Sequence, residues 1–130
     1  MKALQGYSVI VAEDNGSTRM MMSSMLTAHG AKVIEAENGQ EAIHRLNQND
    51  SVQMILMDLH MPVMDGYVAT QKIRDFDKNI PIIAVTGASS DEGFELLGRG
   101  FSDFCLKPIF IKDLIAVMQP LLENTRKSLP

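Results

Sequence analysis

Three short runs in this chain, Val9-Ile10-Val11-Ala12, Met54-Ile55-Leu56-Met57 and Ile82-Ile83-Ala84-Val85, are apolar at every position. A strand with one wet face alternates apolar and polar residues, whereas a strand covered on both faces does not. The runs therefore predict the middle of a parallel sheet with helices packed on each side. Lys32-Val33-Ile34-Glu35-Ala36 and Phe104-Cys105-Leu106 are weaker strand patterns that suit its edges.

Helical patterns separate the five strands. Asn15 to His29 carries Thr18, Met21, Met22, Met25 and Leu26 on the expected inward face, with Gly30 where a left-handed cap is wanted. Gly39 to Asn49 and Gly66 to Phe76 follow, the latter capped by Asp65. Ser89 to Gly98 is the poorest pattern, because Gly93 costs about 1 kcal/mol relative to Ala inside a helix. The last helix starts near Phe110, and Pro120 predicts a kink or an early end. Five strands alternating with five helices make a single doubly wound α/β domain with right-handed crossovers. Its expected limits are a leader over 1–6, the domain over 7–122, and a tail or linker over 123–130.

A net charge of -4 leaves no basic surface for nucleic acid. The single Cys105 cannot form an internal disulfide and reads as a small core residue in a reducing compartment. No charged-then-apolar leader and no apolar stretch of roughly 18 residues is present, so the expectation is a cytoplasmic chain without direct membrane contact.

In such sheets the functional residues gather at the carboxyl ends of the strands. The first strand runs into Glu13-Asp14, the third ends in Asp58, the fourth ends in Thr86-Gly87, and the fifth runs into Lys107-Pro108. Three acids, a hydroxyl and an amine would thus converge. At about 4 Å each acid pair costs ~4 kcal/mol at a protein-like effective dielectric, so a cation must offset them. Oxygen ligands with open positions for water and phosphate suit Mg²⁺. Asp14 and Asp58 are the candidate direct ligands, and the longer Glu13 acts through water. Asp58 is placed to attack phosphorus and give an acyl phosphate, with Lys107 and Thr86 answering the charge on its oxygens.

These residues give the chain a resemblance to the receiver (CheY-like) domain of two-component response regulators, from about Tyr7 to Leu122. The motifs in order are Glu13-Asp14, Asp58 within MDLHMPVMDG, Thr86-Gly87-Ala88 and Lys107-Pro108. The resemblance implies a flavodoxin-like strand order 2-1-3-4-5 and phosphotransfer from a histidine-phosphate, on a sensor histidine kinase or a phosphotransfer protein, to Asp58. It implies Mg²⁺ held by Asp14, Asp58 and the backbone carbonyl of His60, with Glu13 assisting. It makes Thr86 and Phe104 the switch residues, and His60 and Ala88 the positions that set the lifetime of the phosphoryl group. The phrase MPVMDG and the residues Leu4 to Ser8 look most like receivers attached to hybrid histidine kinases; a stand-alone response regulator would read the same way. The chain would catalyse its own aspartyl phosphorylation and dephosphorylation while serving mainly as a signalling switch, and a full-length hybrid protein would be a histidine kinase.

Other function classes fit less well. A phosphatase with an aspartyl-phosphate intermediate would carry two aspartates spaced by one residue, which Glu13-Asp14-Asn15 lacks. A docking module without phosphorylation would not need Asp58, Thr86 and Lys107 together. A flavin carrier would need a Ser/Thr/Gly phosphate loop where the acidic pair stands. His29 and His44 lack a partner at ligand spacing and receive no role. Met20 points away from the core among Ser23 and Ser24, and is the candidate anchor for the phosphodonor.

Overall fold

The computed structural model describes residues 2–87 and 93–127. Five strands, β1 (Ser8–Ala12), β2 (Lys32–Ala36), β3 (Met54–Asp58), β4 (Ile82–Thr86) and β5 (Asp103–Leu106), form one parallel sheet in the order β2-β1-β3-β4-β5. The three wholly apolar runs occupy the centre, and the two weaker patterns are the edges. Alternation within each strand divides the core: Val9, Val11, Leu56 and Val85 face one cluster, Ile10, Ala12, Met57 and Ala84 the other.

Helices α1 (Gly16–Ala28) and α5 (Ile111–Lys127) cover the first cluster through Met22, Leu26, Leu114, Met118 and Leu122. Helices α2 (Gly39–Gln48), α3 (Gly66–Phe76) and α4 (Gly93–Gly98) cover the second through Ala42, Ala69, Ile73 and Leu96. The helix starts follow local chemistry. Asn15, Asn38 and Asp65 each accept a backbone N–H from three residues on, which satisfies one of the unpaired donors of a first turn. Gly30 closes α1 at φ 98°.

Two expectations are corrected. Met21 is 45% exposed, since the buried stripe of α1 is the narrower one through Met22 and Leu26. The early end at Pro120 does not occur: α5 runs through it to Lys127, and Leu122 beyond the proline is fully buried. Burial of that side chain holds the helix against the core although proline removes one backbone bond. Leu4, ahead of β1, is fully buried in the first cluster, and its amide donates to the His29 carbonyl at 2.8 Å. The fourth helical pattern is described from Gly93 onward, and Ser89 to Glu92 lie outside the described residues.

Leu4→Ala should therefore cost roughly 2–5 kcal/mol, the range for emptying a buried leucine site. Urea unfolding measures it, and a loss under about 0.5 kcal/mol, ordinary for surface substitutions, would mean the leader is dispensable.

Candidate functional site

The register aligns the carboxyl ends of the strands at one rim: Ala12 pairs with Met57, Asp58 with Val85, and Thr86 with Leu106. Asp58 is the last residue of β3 and is buried at 6% exposure, while Glu13, one step beyond β1, is buried at 1%. Asp14 is exposed. Carboxylate oxygens of Glu13, Asp14 and Asp58 all lie within 4.8 Å of one another. Such crowding is costly unless a cation sits among the oxygens.

Lys107 supplies one positive charge. Its Nζ donates to Glu13 Oε1 at 2.9 Å and lies 3.5 Å from Asp58 Oδ1. Its own backbone N–H donates to the Thr86 carbonyl at 2.8 Å, which ties the residue to the end of β4. Burial works against the ammonium, but the hydrogen bond to Glu13 and the charges of Asp58 and Glu13 outweigh it, so the Lys107 pKa lies above its ordinary value. The peptide bond from Lys107 to Pro108 is cis. Thr86 is buried at the same rim.

Both carboxylate oxygens of Glu13 already carry a hydrogen bond. Oε1 accepts from Lys107 and Oε2 accepts from the Asn15 N–H at 3.1 Å. Asp14, by contrast, makes no side-chain bond among the described residues and presents its carboxylate to the rim. The acidic pair is not the cap of α1, since Asn15 takes that part through the Thr18 N–H at 2.9 Å.

Gly66 is set by a steric constraint beneath Asp58. A Cβ there would collide with the Asp58 carbonyl oxygen, so the chain after β3 can double back to start α3 only with glycine. The Gly66 N–H donates to the Leu59 carbonyl at 3.0 Å and closes this turn. Within the turn, Val63 sits at φ 67° and is 77% exposed, a strained placement for a β-branched residue. His60 is exposed, with its ring 6.4 Å from the Tyr67 ring in an edge arrangement. Arg99 in turn lies 4.0 Å over the Tyr67 ring.

Phe104 on β5 is half-buried against the second core cluster. A Cβ added to Gly93 would overlap its ring. The glycine that weakens α4 in the sequence is thus the space the ring occupies. Ala88 lies outside the described residues. Met20 is 68% exposed and lines a shallow groove of about 480 Å³ with Ser23, Ser24, Thr27, Ala28 and Glu35. The Ser23 hydroxyl is buried without a partner at its edge.

Sequence reading passed over Arg19. It stands one turn into α1, five residues after Asp14, and its Nη1 donates to the Glu13 carbonyl at 2.8 Å. The available signal was an arginine at that spacing followed by Glu35 and Glu37 around the end of β2.

The chain belongs to the response regulator receiver domain family, whose model matches residues 9–119. It is a receiver domain of two-component systems, a family whose function is to accept a phosphoryl group and whose members bind Mg²⁺ at an acidic pocket. Two-component system protein A of Emericella nidulans is 37% identical over 113 residues, covering 85% of this chain and 17% of that protein. Hybrid signal transduction histidine kinase M of Dictyostelium discoideum is 34% identical over 123 residues, covering 89% and 5%. The chain thus spans less than a fifth of the length of these curated relatives. Among solved structures, the receiver domain of the Francisella response regulator 1452 superposes with a TM-score of 0.85 at 27% identity, covering 92% of this chain and 99% of that one. Vibrio cholerae chemotaxis protein CheY4 gives 0.81 at 27% identity, covering 88% and 98%.

The elevated pKa of Lys107 has a consequence for stability. A raised folded value means that the ion pair is in force at neutral pH and up to roughly pH 10, and is lost as the pH climbs through the folded pKa. Glu13→Gln removes the strongest supporting contact and should lower the Lys107 pKa, read from the Cε–Hε resonances during an alkaline NMR titration. An unchanged midpoint would mean that Glu13 does not hold the ammonium.

Proposed function

We propose that Asp58 is the phosphoacceptor of this receiver, and that the phosphodonor is a histidine-phosphate on a sensor histidine kinase or phosphotransfer protein. The observation that supports this most strongly is the meeting of Glu13, Asp14 and Asp58 within 4.8 Å at a rim where Lys107 touches two of them. A buried acid beside an ammonium, at the end of a central strand, is an anchored nucleophile with charge compensation already in place.

Mg²⁺ suits the donor set. Asp14 and Asp58 are the carboxylate ligands in this reading, and the His60 carbonyl, two residues past Asp58, is the third. Glu13, with both oxygens engaged, acts through water and by steadying Lys107. When bound, the cation supplies charge neutralisation for the phosphoryl oxygens and for the crowded acids. In the transfer, an Asp58 carboxylate oxygen forms the new bond to phosphorus as the P–N bond to the donor imidazole breaks. The electron pair of that bond stays on the imidazole nitrogen, which then takes up a proton. Lys107 keeps its proton throughout and shifts its attraction toward the negative phosphoryl oxygens.

Thr86 and Phe104 are the switch residues in this reading. The Thr86 hydroxyl bonds the phosphoryl group in one packing, and the Phe104 ring, now lodged against Gly93, repacks with it. His60 and Ala88 set the lifetime of the phosphoryl group. The name of one curated relative, hybrid signal transduction histidine kinase M, supports a place within a hybrid histidine kinase; a stand-alone regulator is the alternative. The site works in the cytoplasm, and no helix of the described residues is long and apolar enough to cross a membrane. The working unit in this reading reaches back past Tyr7 to Leu4.

Incubation with acetyl phosphate and Mg²⁺ should add the mass of one phosphoryl group to the wild type and none to Asp58→Ala or to a sample stripped with chelator. A gain in Asp58→Ala equal to that of the wild type would move the acceptor elsewhere. The groove beside Met20 is the proposed docking place of the donor, with Ser23 and Ser24. Met20→Glu should slow transfer from the cognate phosphohistidine about tenfold, the effect of losing ~1.4 kcal/mol at a central apolar contact. Phosphorylation by acetyl phosphate should stay unchanged, and an unchanged protein-to-protein rate would exclude this groove.

A further inference from the structure

We propose that Arg19 is a positioning residue for the metal site, aiming Asp14 by fixing the peptide plane that precedes it; the inference rests on the reading of Asp14 as a metal ligand. The starting point is an asymmetry among the three acids. Asp58 is held by β3 and Lys107, and Glu13 by Lys107 and the Asn15 N–H, but the Asp14 carboxylate has no side-chain bond among the described residues. Its direction therefore depends on the backbone that carries it.

That backbone is held at both groups of Glu13. The Glu13 N–H donates to the Ala36 carbonyl at 3.0 Å, the last rung toward β2. The Glu13 carbonyl, which belongs to the peptide joining Glu13 to Asp14, accepts from Arg19 Nη1 at 2.8 Å. A peptide unit is planar, so fixing its carbonyl fixes the start of the Asp14 residue as well.

The guanidinium is itself braced. Nε donates to Glu35 Oε1 at 3.0 Å and Nη2 lies 3.5 Å from Glu37 Oε1, so three edges of one rigid plane meet three acceptors. The side chain of Arg19 is only 17% exposed, against 49% and 66% for the two glutamates. Pairs with such exposed acids contribute little to stability. Their effect is directional: they hold the fork so that Nη1 has one place to point. A lysine offers a point charge on a flexible stem and cannot span all three acceptors.

The test measures Mg²⁺ affinity by NMR titration of the Asp14 and Asp58 amides in wild type, Arg19→Gln and Arg19→Lys, alongside urea unfolding without metal. Outer partners of ligands typically change metal affinity 10–100-fold. Arg19→Gln should raise the Mg²⁺ Kd about tenfold or more, and Arg19→Lys should stay at least about fivefold weaker than wild type. The amide order parameters of Glu13 to Asn15 should fall in both variants before any metal is added. Equal Kd values in wild type and Arg19→Gln would overturn the inference, as would full recovery in Arg19→Lys, which would mean that charge alone matters. Absence of Mg²⁺ binding by the wild type would remove the metal reading itself, and the inference with it. Should Arg19→Gln not fold, Glu35→Gln with Glu37→Gln releases the brace while keeping Arg19, and an unchanged Kd there overturns the inference.

Discussion

Mutual repulsion of three carboxylates at the rim of the sheet is the constraint on which the rest of the molecule depends. Two of them, Glu13 just beyond β1 and Asp58 at the end of β3, are buried side by side, and the third is their exposed neighbour Asp14. Burying charge is tolerated only where it is paired and hydrogen-bonded. Lys107 reaches Glu13 and Asp58 from the far edge strand β5, 94 residues along the chain from Glu13. Arg19 reaches the Glu13 backbone from α1. Lys107 meets the two acids only when β1, β3, β4 and β5 lie side by side, so the site depends on non-local assembly of the sheet.

The surrounding backbone leaves the acids their places. Gly66 lets the chain turn back under Asp58 without a side chain, and Asp65 then starts α3 at once through the Val68 N–H. Asn15 serves α1 as its cap and Glu13 as a backbone donor, which leaves Asp14 clear. One short polar residue thus performs the capping that an acid would otherwise do, and the acid stays available to the rim.

Much of this was legible beforehand, for reasons that can be named. Continuous apolar runs marked the central strands because both faces of a parallel sheet are covered, and the gathering of Asp58, Thr86 and Lys107 followed from the geometry of strand ends. What escaped was decided by contacts between segments distant in sequence. Nothing local tells that Leu4 fills the space beneath α1, or that Leu122 carries α5 past Pro120. Helical periodicity placed Met21 and Met22 on one face although they differ by about 100° around the axis, and only Met22 meets the sheet. The role of Arg19 depends on a backbone carbonyl, which has no signature in side-chain patterns.

Gly93 shows how a local weakness and a long-range contact can be one feature. By propensity it costs α4 about 1 kcal/mol relative to alanine. By geometry no larger residue leaves room for the Phe104 ring on β5. Retaining glycine therefore exchanges helix stability for a socket, and it couples the two elements: while the ring stays, it fills the space that the missing side chain leaves, and when the ring departs, α4 keeps the glycine and loses the packing. β5 thus carries the Phe104 ring into α4 and leads directly into Lys107 at the rim.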